Sequence, residues 1–415
     1  MGRRNFLDAS LRLPAHDHHP RDEAGAPVTS VTLDVRAYIA DRRNATTAYG
    51  RMSDGGEIQV TFFAAPPPVT SYFCVWCPET RDLAGLATEP RIIAAEADLA
   101  VLSVGLGSGF QCYDPRWNDI FIYHAGAGEK GPWLRRLTRE DSYFFYYNIG
   151  LLRHGDGVPD DDDHYHVVTL PPTRVPWQFR LHVFDSKAET WSCRIVSLGR
   201  EHQHSQFEHC VSKTIVLGGG GLMGFVDPWR GILVCDVLDG NSMLHYMPLP
   251  RSLRSNKKPD LNPDVARDIV VVDGRIKVAE LFCDSAYRWK ASIWSRSSTS
   301  LEEGDWHRDY KLDICDDLVD DGTLHFDLLP KLQGNDDGTP TLDKLYISHP
   351  RLSSNDDDIV YLMAKIRAWD KRAWVLAVDL KNKRLKDVGV FLANRSLQDT
   401  LCYMNSRISK YFVTM

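Results

Sequence analysis

Phe225-Val-Asp-Pro-Trp-Arg-Gly-Ile-Leu-Val-Cys-Asp-Val237 carries the clearest fold signal in the chain. Two short runs rich in β-branched and aromatic residues, Gly224-Phe-Val-Asp227 and Gly231-Ile-Leu-Val-Cys-Asp-Val237, flank a turn built on Pro228. That pattern predicts two antiparallel strands joined tightly. Thr214-Ile-Val-Leu217 upstream and Leu244-His-Tyr-Met-Pro-Leu249 downstream extend it to four short strands.

The same module recurs along the chain, with starts near residues 101, 147, 213, 268 and 339. In the second module His164-Tyr-His-Val-Val-Thr169, Phe179-Arg-Leu-His-Val-Phe-Asp185 and Trp191-Ser-Cys-Arg-Ile-Val196 are successive strands; in the last, Ile359 to Ala364, Trp374 to Asp379 and Leu385 to Val388 are. A four-stranded antiparallel unit cannot bury both of its faces alone, whereas radial stacking covers every face and protects the edges. The spacing suits blades of about 40 to 50 residues with loop insertions. The fold class expected is therefore all-β, a β-propeller-like ring of six or seven four-stranded blades, with packed β-sandwiches as the alternative. Strands at Val31 to Tyr38, Ile58 to Phe63 and Tyr72 to Cys77 could complete a blade together with Leu401 to Thr414, and the Ala-rich Arg91 to Leu102 reads as strand rather than helix. Val-Phe-Asp185, Val-Cys-Asp236 and Val-Asp-Leu380 each end a strand with Asp, whose side chain caps the following turn. Residues 1 to 27, polar and without a sustained period, read as a tail, leaving 28 to 415 as a single domain.

The chain has 415 residues, 43% of them hydrophobic and 25% charged, which is enough to bury a large core. A net charge of -7 disfavours a nucleic-acid or anionic-membrane role. Nine cysteines, an odd number with a single close pair at Cys74 and Cys77, suggest no disulfide framework. The basic start lacks an apolar core for a secretion signal, and no charge-free apolar run of about 20 residues is present, so a cytoplasmic or nuclear monomer is expected.

Several motifs invite chemistry and lose it on context. Gly219-Gly-Gly221-Leu-Met-Gly224 matches a phosphate-binding glycine pattern, but strand residues follow where a helix N-terminus is required, so a tight blade turn is the better reading. His307-Arg308-Asp309 mimics a kinase catalytic loop without the Asn that should follow. His202, His204, His209 and Cys210 could supply zinc ligands, but they lack a second ligand pair at finger spacing, and the segment from Glu201 to Cys210 is expected to be mobile and solvent-facing. Cys74 and Cys77 would point to opposite faces of a strand. The acidic runs, among them Asp160, Asp161, Asp162 and Asp163 and later Asp356, Asp357 and Asp358, fail the calcium-loop template and read as solvated loop tips. No metal and no cofactor is expected, and nothing gives positive evidence of catalysis. The eleven tryptophans are assigned to packing between blades.

Val31 to Asp41 with Asn44-Ala-Thr-Thr47, Ala64-Ala-Pro-Pro-Pro68 with Ser71-Tyr-Phe-Cys74, and above all Phe225 to Val237 with Tyr246-Met-Pro-Leu-Pro250 resemble a plant family expanded in grasses, the domain of unknown function family 1618. The likeness runs from about residue 28 to Ile408-Ser-Lys-Tyr-Phe412. The resemblance implies plant origin and similarity to F-box-associated and kelch-like β domains, which bind proteins. It supplies no catalytic residues. The first 27 residues are too short and polar for an F-box helical module, against a ubiquitin-ligase adaptor role.

The function expected is accordingly a non-enzymatic protein-protein interaction module with an unidentified protein partner. The alternative is an enzyme or carbohydrate-binding propeller with its site in a central channel. Asp227, Trp229, Arg230 and Gly231 are expected to be structural, with Trp229 substantially buried between units and Arg230 paired to a carboxylate or to turn carbonyls. The acidic loops are the expected docking rim, favouring a basic partner.

Overall fold

Strand β8 (Asn118–His124) is wholly buried, yet it does not alternate apolar with polar residues. Side chains alternate across a strand, so Ile120 and Ile122 enter one apolar cluster while Phe121 and Tyr123 enter another. A sheet sandwiched between two neighbours needs this, and it is why the blade strands read as continuous apolar runs.

The computed structural model describes residues 8–14, 28–78, 86, 88–106, 117–126, 131–138, 149–154, 164–203, 206–251, 262–284, 286–300, 306–318, 329, 342, 344–355, 358–392 and 401–412. Five four-stranded antiparallel meanders follow one another. The first blade is β6 (Arg91–Glu96), β7 (Leu99–Gly105), β8 and β9 (Trp133–Arg136). The second is β10 (Gly150–Arg153), β11 (Tyr165–Thr169), β12 (Gln178–Asp185) and β13 (Thr190–Ser197). The third is β14 (Lys213–Val216), β15 (Leu222–Asp227), β16 (Gly231–Asp236) and β17 (His245–Pro248). The fourth is β18 (Arg267–Val272), β19 (Arg275–Cys283), β20 (Trp289–Ser297) and β21 (His307–Asp313), and the fifth is β22 (Tyr346–Leu352), β23 (Ile359–Lys365), β24 (Arg372–Asp379) and β25 (Arg384–Leu392).

The sixth sheet takes strands from both ends of the chain: β1 (Val31–Asp34), β2 (Tyr38–Ile39), β3 (Ala48–Arg51), β4 (Glu57–Phe63), β5 (Thr70–Trp76) and β26 (Tyr403–Ser406). Its path is β26-β1-β5-β4-β3, with β2 also lying parallel to β5. Val31 pairs Ser406 and Asp34 pairs Tyr403 in the antiparallel seam between the two ends.

Apolar clusters lie at every junction of neighbouring sheets, from the sixth-to-first junction around Phe62, Phe73 and Phe121 to the fifth-to-sixth junction around Met363, Phe391 and Tyr403. Six sheets with six shared cores make a closed β-propeller of six blades. The fourth strands are outermost and wetter: β13 is buried only at Val196.

The described helical segments are short 3-10 turns, and none among the described residues is long and apolar enough to cross a membrane. Of the expected tail, residues 8–14 are described and they pack on the ring: Ser10 is buried and donates to Glu89 Oε1 at 2.9 Å, and Leu11 packs on the sixth-to-first core. Arg91 to Glu96 is a strand, so the first module begins ten residues before its apolar signal at Val101. The glycine run is a turn between β14 and β15, with Gly220 and Gly221 at φ of 81° and 104°. Those values need glycine.

Candidate functional site

In a meander the turns after the first and third strands leave one face of the ring, and the turns after the second and fourth leave the other. Pro228-Trp-Arg230 joins β15 to β16 on the second kind of face. Asp227 organises this turn. Its Oδ1 accepts from the Trp229 amide at 3.0 Å, and its Oδ2 accepts from the Cys210 amide at 2.9 Å and from Arg230 Nη1 at 3.0 Å. Arg230 reaches on to Glu208 Oε2 at 2.6 Å, and its carbonyl accepts from Tyr246 Oη at 2.9 Å. Gly231 leaves room for that tyrosine: a Cβ there would lie 2.5 Å from Tyr246 Cε2 and 2.7 Å from the Met247 carbonyl oxygen. Arg230 therefore takes carboxylate partners. Trp229 is half-buried between the third and fourth blades. Its face is covered by the guanidinium of Arg267, 5.1 Å from the ring centroid, and Arg267 Nη1 donates to the Pro228 carbonyl at 2.8 Å. The turn thereby clasps the fourth blade.

A cleft of about 330 Å³ opens beside Arg230, walled by Pro172, Pro176, Phe179 and Phe207 and floored by His209. Within Glu201 to Cys210 the described residues Glu201, Gln203, Gln206, Glu208 and Cys210 face solvent as expected, and Phe207 and His209 do not. His204 lies outside the described residues, but Phe207 is buried in the core shared by the second and third blades, and His209 Nε2 lies 3.0 Å from the Phe225 carbonyl. An aromatic residue two positions from the histidine anchors the loop, a contact no local pattern announces. Burial pushes the His209 imidazole down to about 4, Arg230 adds to this, and Asp227 opposes it. The ring is neutral at pH 7, and its Nδ1 is buried without a hydrogen-bond partner.

The same face carries a recurrence that sequence reading assigned to packing or passed over. Trp117, Trp177, Trp229, Tyr287 and Trp369 each stand just before the third strand of their blade. Trp177 and Trp229 are half-buried, whereas Trp117, Tyr287 and Trp369 are exposed at 44%, 85% and 64%. Ile366, Arg367, Lys371 and Arg372 are exposed around Trp369. Trp294 and Trp374 do pack between strands as expected.

The opposite face holds a polar cluster at the end of the second blade. His164 Nε2 lies 3.1 Å from Asp185 Oδ1, His166 Nε2 lies 3.7 Å from Asp185 Oδ2, and His154 Nε2 lies 2.7 Å from His166 Nδ1. Beside it Arg153 grips Asp98 with two bonds of 2.9 and 3.0 Å, and His124 Nε2 lies 2.9 Å from the same carboxylate. Burial opposes ionisation of Asp98, yet His124 and Arg153 hold its carboxyl below the usual range. Asp185 caps its turn as expected, accepting from the Lys187 and Ala188 amides, and Asp236 does the same for Leu238 and Asp239. The usable signal was His-x-His at 164 and 166, which was read only as strand.

Of the acidic loops, Asp160 to Asp163, Asp356 and Asp357 lie outside the described residues. Asp358 accepts from Tyr310 Oη at 2.5 Å. Cys74 and Cys77 enter different apolar clusters, and burial pushes the Cys77 thiol up to about 12.

A family model described as a protein of unknown function, DUF1618, matches residues 225–361. The match begins in β15, takes in the Asp227 turn and ends in β23. No curated protein matches the chain in sequence. Among solved structures, the β-propeller domain of Myceliophteria thermophila Cps50 (Swd1) is similar at 8% identity and a TM-score of 0.38, over 84% of this chain and 87% of that one. Saccharomyces cerevisiae Sqt1 is similar at 10% identity and a TM-score of 0.38, over 82% and 72%. An alpha-L-arabinanase of Penicillium chrysogenum, solved with arabinobiose, is similar at 10% identity and a TM-score of 0.28, over 88% and 99%.

Proposed function

We propose that this propeller is a non-enzymatic protein-interaction scaffold that docks its partner on the face bearing the aromatic turns. The observation that carries this reading is the exposure of Tyr287 and Trp369 on neighbouring blades, at 85% and 64%. Tyr, Trp and Arg dominate interface hot spots, and the rigid Tyr and Trp rings bury much surface at little conformational cost. Leaving two such rings in water is unfavourable unless something covers them. Arg367, Lys371 and Arg372 beside Trp369 give that region a positive rim, although the whole chain carries -7. The partner that fits presents apolar side chains flanked by carboxylates. This reading puts the docking rim elsewhere than the acidic runs, of which the described residue Asp358 directly precedes the second strand of the fifth blade.

Affinity capture from plant tissue, the source that the resemblance implies, tests the reading when three chains are compared by quantitative mass spectrometry. The double variant Tyr287→Ala/Trp369→Ala is expected to fold and to lose its specific partners at least tenfold. The variant with Asp→Asn at Asp160, Asp161, Asp162, Asp163, Asp356, Asp357 and Asp358 is expected to keep them. The reverse pattern would assign docking to the acidic rim, and retention by both variants would overturn either rim as the interface.

A further inference from the structure

The histidine cluster follows from strand geometry. His164 directly precedes β11 and His166 is its second residue, and a spacing of two projects both to one side of the sheet. Asp185 is the cross-strand partner of His166 on β12, and His154 lies across from His164, whose carbonyl accepts from its amide at 3.1 Å. Three strand ends therefore bring their side chains to one place. The donor atoms of His164, His166 and Asp185 lie within 4.8 Å of one another. Metal–ligand distances of about 2.0–2.2 Å place tetrahedral ligand atoms roughly 3.4 Å apart. The spacings of 3.1 and 3.7 Å from the two Nε2 atoms to the carboxylate already bracket that value.

The surroundings suit a ligand set. Asp185 Oδ1 is held by two turn amides, which orients the carboxylate and leaves Oδ2 facing His166. If the His166 Nδ1–H donates to His154 Nε2, the lone pair of His166 Nε2 points at a carboxylate oxygen. In that tautomer two electron-rich atoms face each other, an arrangement that a cation between them, a proton or a metal ion, relieves. A hydrogen-bond partner on the far ring nitrogen is what metal-ligating histidines have. Asp185 remains partly exposed, at 38% of its side chain, so water can reach a fourth position.

We propose that His164 Nε2, His166 Nε2 and the Asp185 carboxylate bind one divalent transition-metal ion of the zinc class, with water completing the tetrahedron and His154 orienting His166. Two imidazoles and one carboxylate suit zinc better than calcium or magnesium, which take oxygen ligands. The site is separate from His202, His209 and Cys210, where His209 Nε2 is engaged by a backbone carbonyl. It lies on the face opposite the docking surface and stands independently of it.

The test is calorimetric titration of the untagged, chelator-stripped full chain with zinc, and cobalt absorption as a report of four-coordinate geometry. One equivalent is expected per chain. His164→Gln, His166→Gln and Asp185→Asn should each weaken binding more than 100-fold, His154→Ala about 10- to 100-fold through the outer hydrogen bond, and His209→Gln not at all. Should His166→Gln fail to fold, the more exposed His164→Gln decides. Absence of a stoichiometric site, or binding that survives His164→Gln and is lost with His209→Gln, overturns the proposal.

Discussion

Arg267 and Glu280 face each other across β18 and β19 and form an ion pair at 3.1 Å, with side chains 1% and 0% exposed. The same guanidinium covers Trp229 and bonds the Pro228 carbonyl, so a buried charge on the fourth blade supports the turn of the third. Removing one partner strands the other charge in a low dielectric. Glu280→Ala is expected to cost about 3–5 kcal/mol, whereas replacing both partners with Met should cost less than Glu280→Ala alone. Urea denaturation of the single and double variants measures the difference.

Trp229 is half-buried, so its truncation should cost less than the loss of a fully buried ring. Trp229→Ala is expected to destabilise by about 2 kcal/mol, below the ~3–5 kcal/mol of a core tryptophan. Gly231→Ala should cost about 1–3 kcal/mol through overpacking against Tyr246 and the Met247 carbonyl. Thermal midpoints of both variants check this, and an unchanged midpoint for Trp229→Ala would mean that the clasp on Arg267 carries no stability.

His209 makes stability depend on pH. Its folded value is about 4 against an ordinary 6.5, so between those limits the unfolded chain binds the proton and the folded chain does not. Its contribution is fully present above 6.5, falls as pH drops towards 4, and is flat below that. His209→Gln should reduce the slope of unfolding free energy between pH 6.5 and 4 while leaving the slope above pH 7 unchanged. Denaturant titrations across that range read it directly.

Tyr403 sits in the seam between the two ends of the chain, buried, with its hydroxyl donating to the His349 carbonyl at 2.9 Å. Tyr403→Phe should cost about 1 kcal/mol or somewhat more, since the carbonyl loses its donor. Deleting residues 401–415 removes β26 and with it the antiparallel partner of β1 and the core residue Ile408. That deletion should abolish cooperative unfolding and expose an edge that self-associates. Circular dichroism melts and size-exclusion chromatography report the two effects.

Legibility followed burial on two faces. β23 (Ile359–Lys365) and β16 are buried almost throughout and stand out as apolar runs. β6 escaped as the start of its blade because Ile93-Ala-Ala95 is only partly buried and alanine carries little strand preference. The Asp227 turn was legible because Asp, Pro and Gly mark turns by their own chemistry. The cleft was not, because Phe207 and His209 pack against Phe179 and Phe225 from other elements.

Repeated four-stranded units and the places of their turns are legible in the chain alone, since both depend on residues close along it. Three-dimensional packing fixed the number of blades at six, because the last one joins Val31 to Ser406 across almost the entire chain. It also decided which polar residues meet. His166 and Asp185 are cross-strand partners on β11 and β12 and His154 directly follows β10, so cross-strand register, fixed by packing on both faces of the blade, brings them together.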